Sequence, residues 1–403
     1  MYDWPASKPT ERKEPVRASK LILLTAAAVL AAAAPAGAKG SDVEVEVIAS
    51  GLDNPRHVAV SHDGDVYVAE SGRGGDHATS RSCFDTAEGF SCTGATGAVT
   101  RISRHRWRDS HERVVTGLAS FAPANGNNAI GPHGIFVERG KLLVTNGGPT
   151  APTRDGPTNV VLRDPTLVAE EPVSALYGRL LEVRRHGRLR SIADLWDFER
   201  DFNPDATVGN PLIDSNPVDV LADRGRYIVA DAGGNTVLRV SRRGRIKVLS
   251  LFPNIPTPGP MGTVPMNAVP TGVVEGPDGA YYVSQLTGFP FPVGGAKVFR
   301  VDPRTGAYTT YASGFTNAMD LDFGRDGTLY VLEIDSDSLL QPGTDGGIWA
   351  VPPGGGTPER IELPAGTLTA PGGIDVTRHG KAFVSNHATE ADEGEVLEID
   401  LDD

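Results

Sequence analysis

The chain has 403 residues, 22% of them charged and 39% hydrophobic, and a formal net charge of −13. An acidic chain without a basic stripe is a poor partner for nucleic acid, whose phosphates need clustered Lys and Arg; the one basic cluster, Arg101–Arg113, is interleaved with Asp109 and Glu112 and reads as a solvated hairpin turn. Aromatics at 6% are too sparse for a carbohydrate-binding surface paved with Trp and Tyr, whereas 48 Gly and 31 Pro suit a chain that turns every few residues.

Arg17 and Lys20 precede Leu21–Ala34, an unbroken apolar run of 14 residues, and Pro35-Ala36-Gly37-Ala38 follows it. A positive n-region, an apolar h-region of this length and an Ala-x-Ala site form the pattern of a secretory signal peptide. A run of this length is short for a bilayer span. Residues 1–38 are therefore expected to be cleaved as an export signal, with no stable membrane insertion afterwards. They carry five Lys/Arg and three Asp/Glu, so their loss moves the net charge from −13 to −15.

Val43–Ala49 (VEVEVIA) is the first alternating run, and behind it one unit recurs six times. Each copy has an apolar run opened by a Pro-like position, a Gly-bearing turn and a second run that ends on a polar residue. Asn54-Pro55-Arg56-His57-Val58 leads to VYVAE (66–70), Gly131-Pro132-His133-Gly134-Ile135 to LLVTN (142–146), and Asn216-Pro217-Val218-Asp219-Val220 to YIVAD (227–231). Val269-Pro270-Thr271-Gly272-Val273 leads to YYVSQ (281–285), Thr316-Asn317-Ala318-Met319-Asp320 to LYVLE (329–333), and Ala370-Pro371-Gly372-Gly373-Ile374 to AFVSN (382–386). The last three steps between copies, 53, 48 and 53 residues, match the period of four-stranded propeller blades. The first two steps carry insertions.

Third runs follow at Ala98–Ile102, Arg179–Val183, Thr236–Val240, Lys297–Val301, Ile348–Val351 and Glu395–Ile399. Fourth runs follow at Glu112–Thr116, Leu189–Leu195, Ile246–Leu251, Tyr308–Ala312 and Glu359–Leu363. The sixth copy has no fourth run, and Val43–Ala49 is its donor. The expectation is an all-β, six-bladed β-propeller of four-stranded antiparallel blades, one domain over 39–403, closed by the N-terminal strand in the last blade. The long segments 71–97, 147–178, 196–215 and 252–269 then emerge on one face, where binding residues usually sit. Short turns such as Asp223-Arg224-Gly225 and His379-Gly380 are expected to face solvent on the other. Cys83 and Cys92 fall in a Gly-rich insertion without a strand pattern, and in an exported chain they read as a disulfide closing a local loop.

The repeat, Pro-x-Gly-hydrophobic followed by Pro-Asp-Gly and Tyr-Val-Ser/Ala, resembles NHL-type and gluconolactonase-like propellers. The export signal, the Cys83–Cys92 loop running into Thr96-Gly97-Ala98-Val99-Thr100-Arg101-Ile102, the Tyr177-Gly178-Arg179-Leu180 step and Asp214-Ser215-Asn216-Pro217 resemble the ScyD/ScyE family of secreted propellers. That resemblance covers about 43–403 and implies a fold and an extracellular address, with no settled reaction. Gluconolactonases hold a divalent metal just after the Pro position, where this chain has Arg56, His133, Val218, Thr271, Met319 and Gly372. A calcium or magnesium ion wants oxygen ligands and this set offers one hydroxyl, so neither a metal nor another cofactor is assigned.

Two sets of polar residues are candidates for a binding site. Arg56, His57, His133 and Asp219 lie at inner-strand starts, with Asp320 in the same place in its copy; they have the chemistry for acid–base work but also for structural hydrogen bonds. Glu70, Asn146, Asp231, Gln285, Glu333 and Asn386 end the second strands, one per copy, and either form a polar mouth or cap strand ends and turns. Glu70 and His133 are placed outside the apolar seams between blades, and Val68 and Val144 within them. No Gly-x-Ser-x-Gly elbow, phosphate loop, His-Glu-x-x-His or EF-hand loop is present. The leading expectation is a monomeric secreted propeller binding a small molecule or protein on its loop-rich face; the alternative is a hydrolase or lyase acting at the central mouth.

Overall fold

Runs such as Tyr281–Gln285 and Leu329–Glu333 become strands because β-branched and aromatic residues suit a pleated surface, and every residue of both is buried. Strands covered on both faces need apolar neighbours above and below, and stacked sheets supply them. The computed structural model describes residues 43–86, 89–103, 110–138, 140–148, 150–152, 159–259 and 262–401. The expected export segment lies outside these residues, as does the interleaved stretch 104–109 of the basic cluster. Among the described residues no helix is long and apolar enough to cross a membrane.

Among the described residues six antiparallel sheets of four or five strands follow one another along the chain, with two further two-stranded hairpins, Thr150–Pro152 with Asn159–Val161 and Ile255–Gly259 with Gly262–Met266. Sheet one runs from Pro55–Val60 through Val66–Glu70 and Gly89–Ser103 to Ser110–Pro123. Sheet two holds Pro132–Glu138, Lys141–Asn146, Arg179–Val183 and Leu189–Asp194. Sheet three holds Pro217–Asp223, Arg226–Asp231, Thr236–Ser241 and Ile246–Leu251. Sheet four holds Pro270–Glu275, Tyr281–Gln285, Ala296–Val301 and Tyr308–Phe315. Sheet five holds Ala318–Phe323, Leu329–Glu333, Gly347–Val351 and Glu359–Arg360. Sheet six holds Gly373–Val376, Lys381–Asn386 and Gly394–Asp400, and its outer strand is Val45–Leu52, paired from Val45 opposite Ile399 to Leu52 opposite Gly394 with slips between Val47 and Ala49 and between Ser50 and Leu52.

Side chains tie each sheet to the next. Ser71 Oγ donates to Pro132 O at 2.8 Å, His133 Nδ1 lies 3.0 Å from Val218 O, and Thr271 Oγ1 donates to Ala318 O at 2.9 Å. Ser385 Oγ donates to Arg56 O at 2.5 Å and so ties sheet six to sheet one. An apolar cluster fills each gap between neighbours. Phe252 and Phe299 stack with ring centroids 4.8 Å apart between sheets three and four, and Val68 and Val144 are buried in the gaps beside sheet one. Each such side chain contributes roughly 1.5–3 kcal/mol.

Three expectations need correction. The Cys83–Cys92 insertion is strand, not irregular loop: Cys83–Thr86 pairs with Gly89–Ser103, and Cys83 sits opposite Cys92, to which it is disulfide-bonded. Its Thr-Gly-Ala-Thr-Gly sequence lacks apolar alternation because backbone packs on backbone there, with an added Cβ at Gly94 falling 2.5 Å from Gly75 Cα. Second, the outer strand of sheet five stops at Arg360 instead of Leu363, although Ile361 N still reaches Ile348 O at 2.8 Å. Third, Asp223 is not a solvent-facing turn residue; it is buried and accepts from Tyr281 Oη of sheet four at 2.7 Å.

The seam strand is unevenly buried. Leu52 packs with Val58, Val68, Phe383 and Val396, whereas Val47 is 51% exposed. Leu52→Ala is expected to cost about 2–4 kcal/mol and Val47→Ala about 0.5 kcal/mol or less, measured by denaturant unfolding. Equal costs would mean that the strand does not seat as described. Because the disulfide joins directly opposed residues of one hairpin, its reduction should loosen hydrogen exchange between Ser71 and Gly97 and leave the other sheets protected. Loss of protection throughout would overturn that reading.

Candidate functional site

Two residues past the Pro position the six inner strands carry His57, Gly134, Asp219, Gly272, Asp320 and Gly373, so side chain and glycine alternate from sheet to sheet. Bulges re-aim residues here: the ladder to the second strand slips between Pro55 and Val58, Pro217 and Asp219, and Ala318 and Asp320. The glycines are sterically required. A Cβ on Gly134 would lie 2.5 Å from Asp219 Cα, and one on Gly373 would lie 2.6 Å from His57 Cα.

His57, Asp219 and Asp320 meet although they come from sheets one, three and five. One ligating atom of each lies within 4.8 Å of the others, and His57 Nδ1 is 3.1 Å from Asp219 Oδ1. All three are buried, at 2%, 7% and 5% exposure. The carboxylates also span the gaps between sheets. Asp219 accepts from Val220 N at 2.6 Å and from Val273 N of sheet four at 2.7 Å. Asp320 accepts from Leu321 N and from Ile374 N of sheet six, both at 2.8 Å. Two residues on, Asp322 takes Val376 N at 2.7 Å, and Asp375 takes Val60 N of sheet one at 2.9 Å.

Burial alone would make the His57 imidazole less basic, but Asp320 and Asp219 outweigh it and lift the pKa to about 9. Burial, together with the like charge of Asp219, pushes Asp320 up to about 7 against the pull of His57. His133 stands edge-on to His57, ring centroids 5.3 Å apart. Burial, then Arg56 and His57, hold it well below the usual histidine range, so it is neutral. Arg56 is brought down to about 10 by burial and turns away, donating to Ser71 Oγ at 3.2 Å and Ala129 O at 2.8 Å.

The ring of second-strand ends faces inward to its own loops. Glu70 accepts from Asp53 N, Thr100 Oγ1 and the Arg113 guanidinium, the last at 2.6 Å. Asp231 holds Ser215 Oγ and Asn216 N, both at 2.7 Å. Glu333 takes Thr316 N at 2.5 Å and Ser336 Oγ at 2.6 Å, and Asn386 takes Thr369 N at 2.7 Å. Asn146 donates to Ala119 O at 3.2 Å, while the buried amide of Gln285 has no hydrogen-bond partner among the described residues. His57, His133, Asp219 and Asp320 therefore come together, Arg56 bonds away from them, and Glu70 and Glu333 do not join them. Both Glu70 and His133 are buried and bonded, and neither belongs to the apolar clusters beside sheet one.

Residues that the sequence did not single out do much of the remaining work. Asp322 follows Asp320 at the two-residue spacing that places both on one face of a strand, a signal that was there to be used. Arg113 had none, since its meeting with Glu70 depends on the register of the outer strand. Glu199, on helix Leu195–Phe202, is lifted to about 9 by burial and by Asp231, Asp205 and Asp214. The same helix walls a cavity of about 570 Å3 with Trp196, lined also by Val161, Pro165, Pro211, Leu212 and Ile213. Asp194 caps that helix through Asp197 N and grips Arg163 with both oxygens at 2.6 Å.

No family model and no curated protein matches the chain. Solved structures do. A gluconolactonase from Xanthomonas campestris is 12% identical with a TM-score of 0.50, covering 89% of this chain and 90% of that one. A streptogramin B lyase is 14% identical with a TM-score of 0.49, covering 89% and 98%. A virginiamycin B lyase from Staphylococcus aureus, bound to quinupristin, is 14% identical with a TM-score of 0.46, covering 89% and 100%. At these identities the likeness concerns the fold alone, which is propeller-like; a ScyD/ScyE membership is not shown.

The buried acid on the helix has a measurable signature. The folded chain keeps the Glu199 proton up to a pKa of about 9 whereas an ordinary glutamate releases it near 4.5. The folded state thus binds more protons than the unfolded state between these values, and stability falls as pH rises across that window. Glu199→Gln should reduce the loss of Tm between pH 5 and pH 8.5 by about 1–3 °C and change little at pH 4. A parallel pH profile in parent and variant would show that Glu199 is ionised in the folded chain.

Proposed function

We propose that the chain is an exported, ScyD/ScyE-like propeller of one domain, its six sheets being the blades of a ring sealed by Val45–Leu52, and that it binds an uncharged, largely apolar small molecule. The observation that carries the ligand reading is the open groove of about 570 Å3 beside Trp196. Its size suits small-molecule pockets, and it is built from the insertions of sheet two and the segment before sheet three.

The chemistry of its walls supports the ligand class. Leu212 and Ile213 are 40% and 39% exposed beside Trp196, a combination that an apolar ligand would cover. The two guanidiniums at the wall are already neutralised: Arg163 by Asp194, and Arg200 by Asp197 at 2.6 Å and Asp201 at 2.9 Å. An anionic ligand would have to displace those carboxylates. Acid–base catalysis at the channel centre is the weaker reading, because His57, Asp219 and Asp320 are buried, His57 is paired with Asp219, and both carboxylates are bonded to strand backbone.

Leu212→Asp and Ile213→Asp test this. Each should weaken binding of an uncharged apolar dye such as Nile red by about tenfold, about 1.4 kcal/mol, with Tm nearly unchanged because both side chains are partly exposed. His379→Ala, on the opposite face, should alter neither. Dye binding that ignores both aspartates would place the ligand elsewhere.

A further inference from the structure

We propose that His57, Asp219 and Asp320 form a site for one divalent transition-metal ion, of the zinc(II) class, at the meeting point of sheets one, three and five. Three features of the structure converge on it. The first is proximity: one ligating atom from each residue lies within 4.8 Å of the other two, the spacing that ligands at about 2.0–2.2 Å from a shared ion can reach with small adjustments. The second is an orphan. His57 Nδ1 faces Asp219 Oδ1 at 3.1 Å, while Nε2 of the same buried ring has no hydrogen-bond partner among the described residues, and a polar atom left so in an interior calls for one.

The third feature is that the ligands are held in place by the strands. Each oxygen of Asp219 and of Asp320 accepts a single backbone N–H, from Val220, Val273, Leu321 and Ile374. Such bonds orient ligating carboxylates and leave a lone pair on each oxygen that His57 Nδ1 does not already face. Glycine at the intervening sheets clears the space, since a Cβ on Gly272 would lie 2.6 Å from Asp320 Oδ1. The donor set decides the class. One imidazole nitrogen with two carboxylates suits zinc(II), cobalt(II) or manganese(II), whereas calcium wants six or more oxygens. The site lies one residue beyond the positions at which gluconolactonases are expected to hold metal, where this chain has Arg56, His133, Val218, Thr271, Met319 and Gly372. A rival occupant needs no ion: a protonated His57 shared between the two carboxylates.

Metal uptake by the purified protein separates the two. After stripping with a chelator and dialysis, zinc(II) should return to one ion per chain by elemental analysis, with a rise in Tm. Cobalt(II) should give visible d–d absorption of nitrogen and oxygen ligation that zinc(II) displaces stoichiometrically. His57→Gln and Asp320→Asn should each weaken uptake at least about tenfold, and His62→Ala and His379→Ala, on the surface, should leave it unchanged. If a channel variant does not fold, the cobalt spectrum and stoichiometry of the parent decide alone. No uptake by the parent, or uptake that the surface variants remove and the channel variants keep, overturns the proposal in favour of the shared proton. Dye binding at the Trp196 cavity is an independent readout and is expected to be the same with and without the ion.

Discussion

The molecule depends on carboxylates that cross from one sheet to the next. A stack of separate four-stranded sheets has no continuous backbone ladder between neighbours, so side chains hold most of each gap, beside isolated backbone bridges such as Phe121–Ile130 and Asp345–Thr369. Asp219 and Asp320 each bind the backbone N–H of their own strand and that of a strand in the following sheet, and Asp322 and Asp375 repeat the link two residues on. Burying a carboxylate costs several kcal/mol unless it is paired, and charge-assisted hydrogen bonds return about 1.5–3 kcal/mol each. Two such bonds per carboxylate, with His57 against Asp219, offset part of that cost, while burial still pushes Asp320 up to about 7.

Apolar packing and polar linkage divide the labour. The clusters between sheets, such as Val229 and Leu238 with Leu143 and Leu180, supply most of the stabilisation but are tolerant in direction, because dispersion and the hydrophobic effect reward area and not angle. The carboxylate links and the short bonds from Ser71, Thr271 and Ser385 fix how far one sheet is offset from the next. The second-strand ends do the same at the loop side: Glu70 with Arg113, and Asp231 with Ser215, anchor the chain before it leaves for an insertion. The loops that wall the Trp196 cavity thus start from rigid points.

The strands, the turns and the donation of Val45–Leu52 to sheet six were legible in the chain. Period-two alternation and Gly turns are local properties, and a copy without a fourth run points to the one unassigned alternating segment. The polar residues at inner-strand starts were legible as candidates for the same reason, since each follows a Pro-like position. The strand in the Cys83–Cys92 insertion was not, because glycine backbones packed on one another leave no hydrophobic pattern. Nor was the burial of Asp223, whose partner Tyr281 belongs to a different repeat.

What the sequence determined by itself is therefore what neighbours along the chain govern: most strands, the turns and the repeat. Only the tertiary structure decided which polar residues meet. His57, Asp219 and Asp320 are far apart in the chain and converge because alternate sheets offer glycine at the same level, while Glu70 and Glu333, equally polar and equally repeated, turn back into their own loops. Convergence depends on how sheets are offset around a common centre, and that offset is a property of packing and of bonds between distant strands, which no local pattern carries.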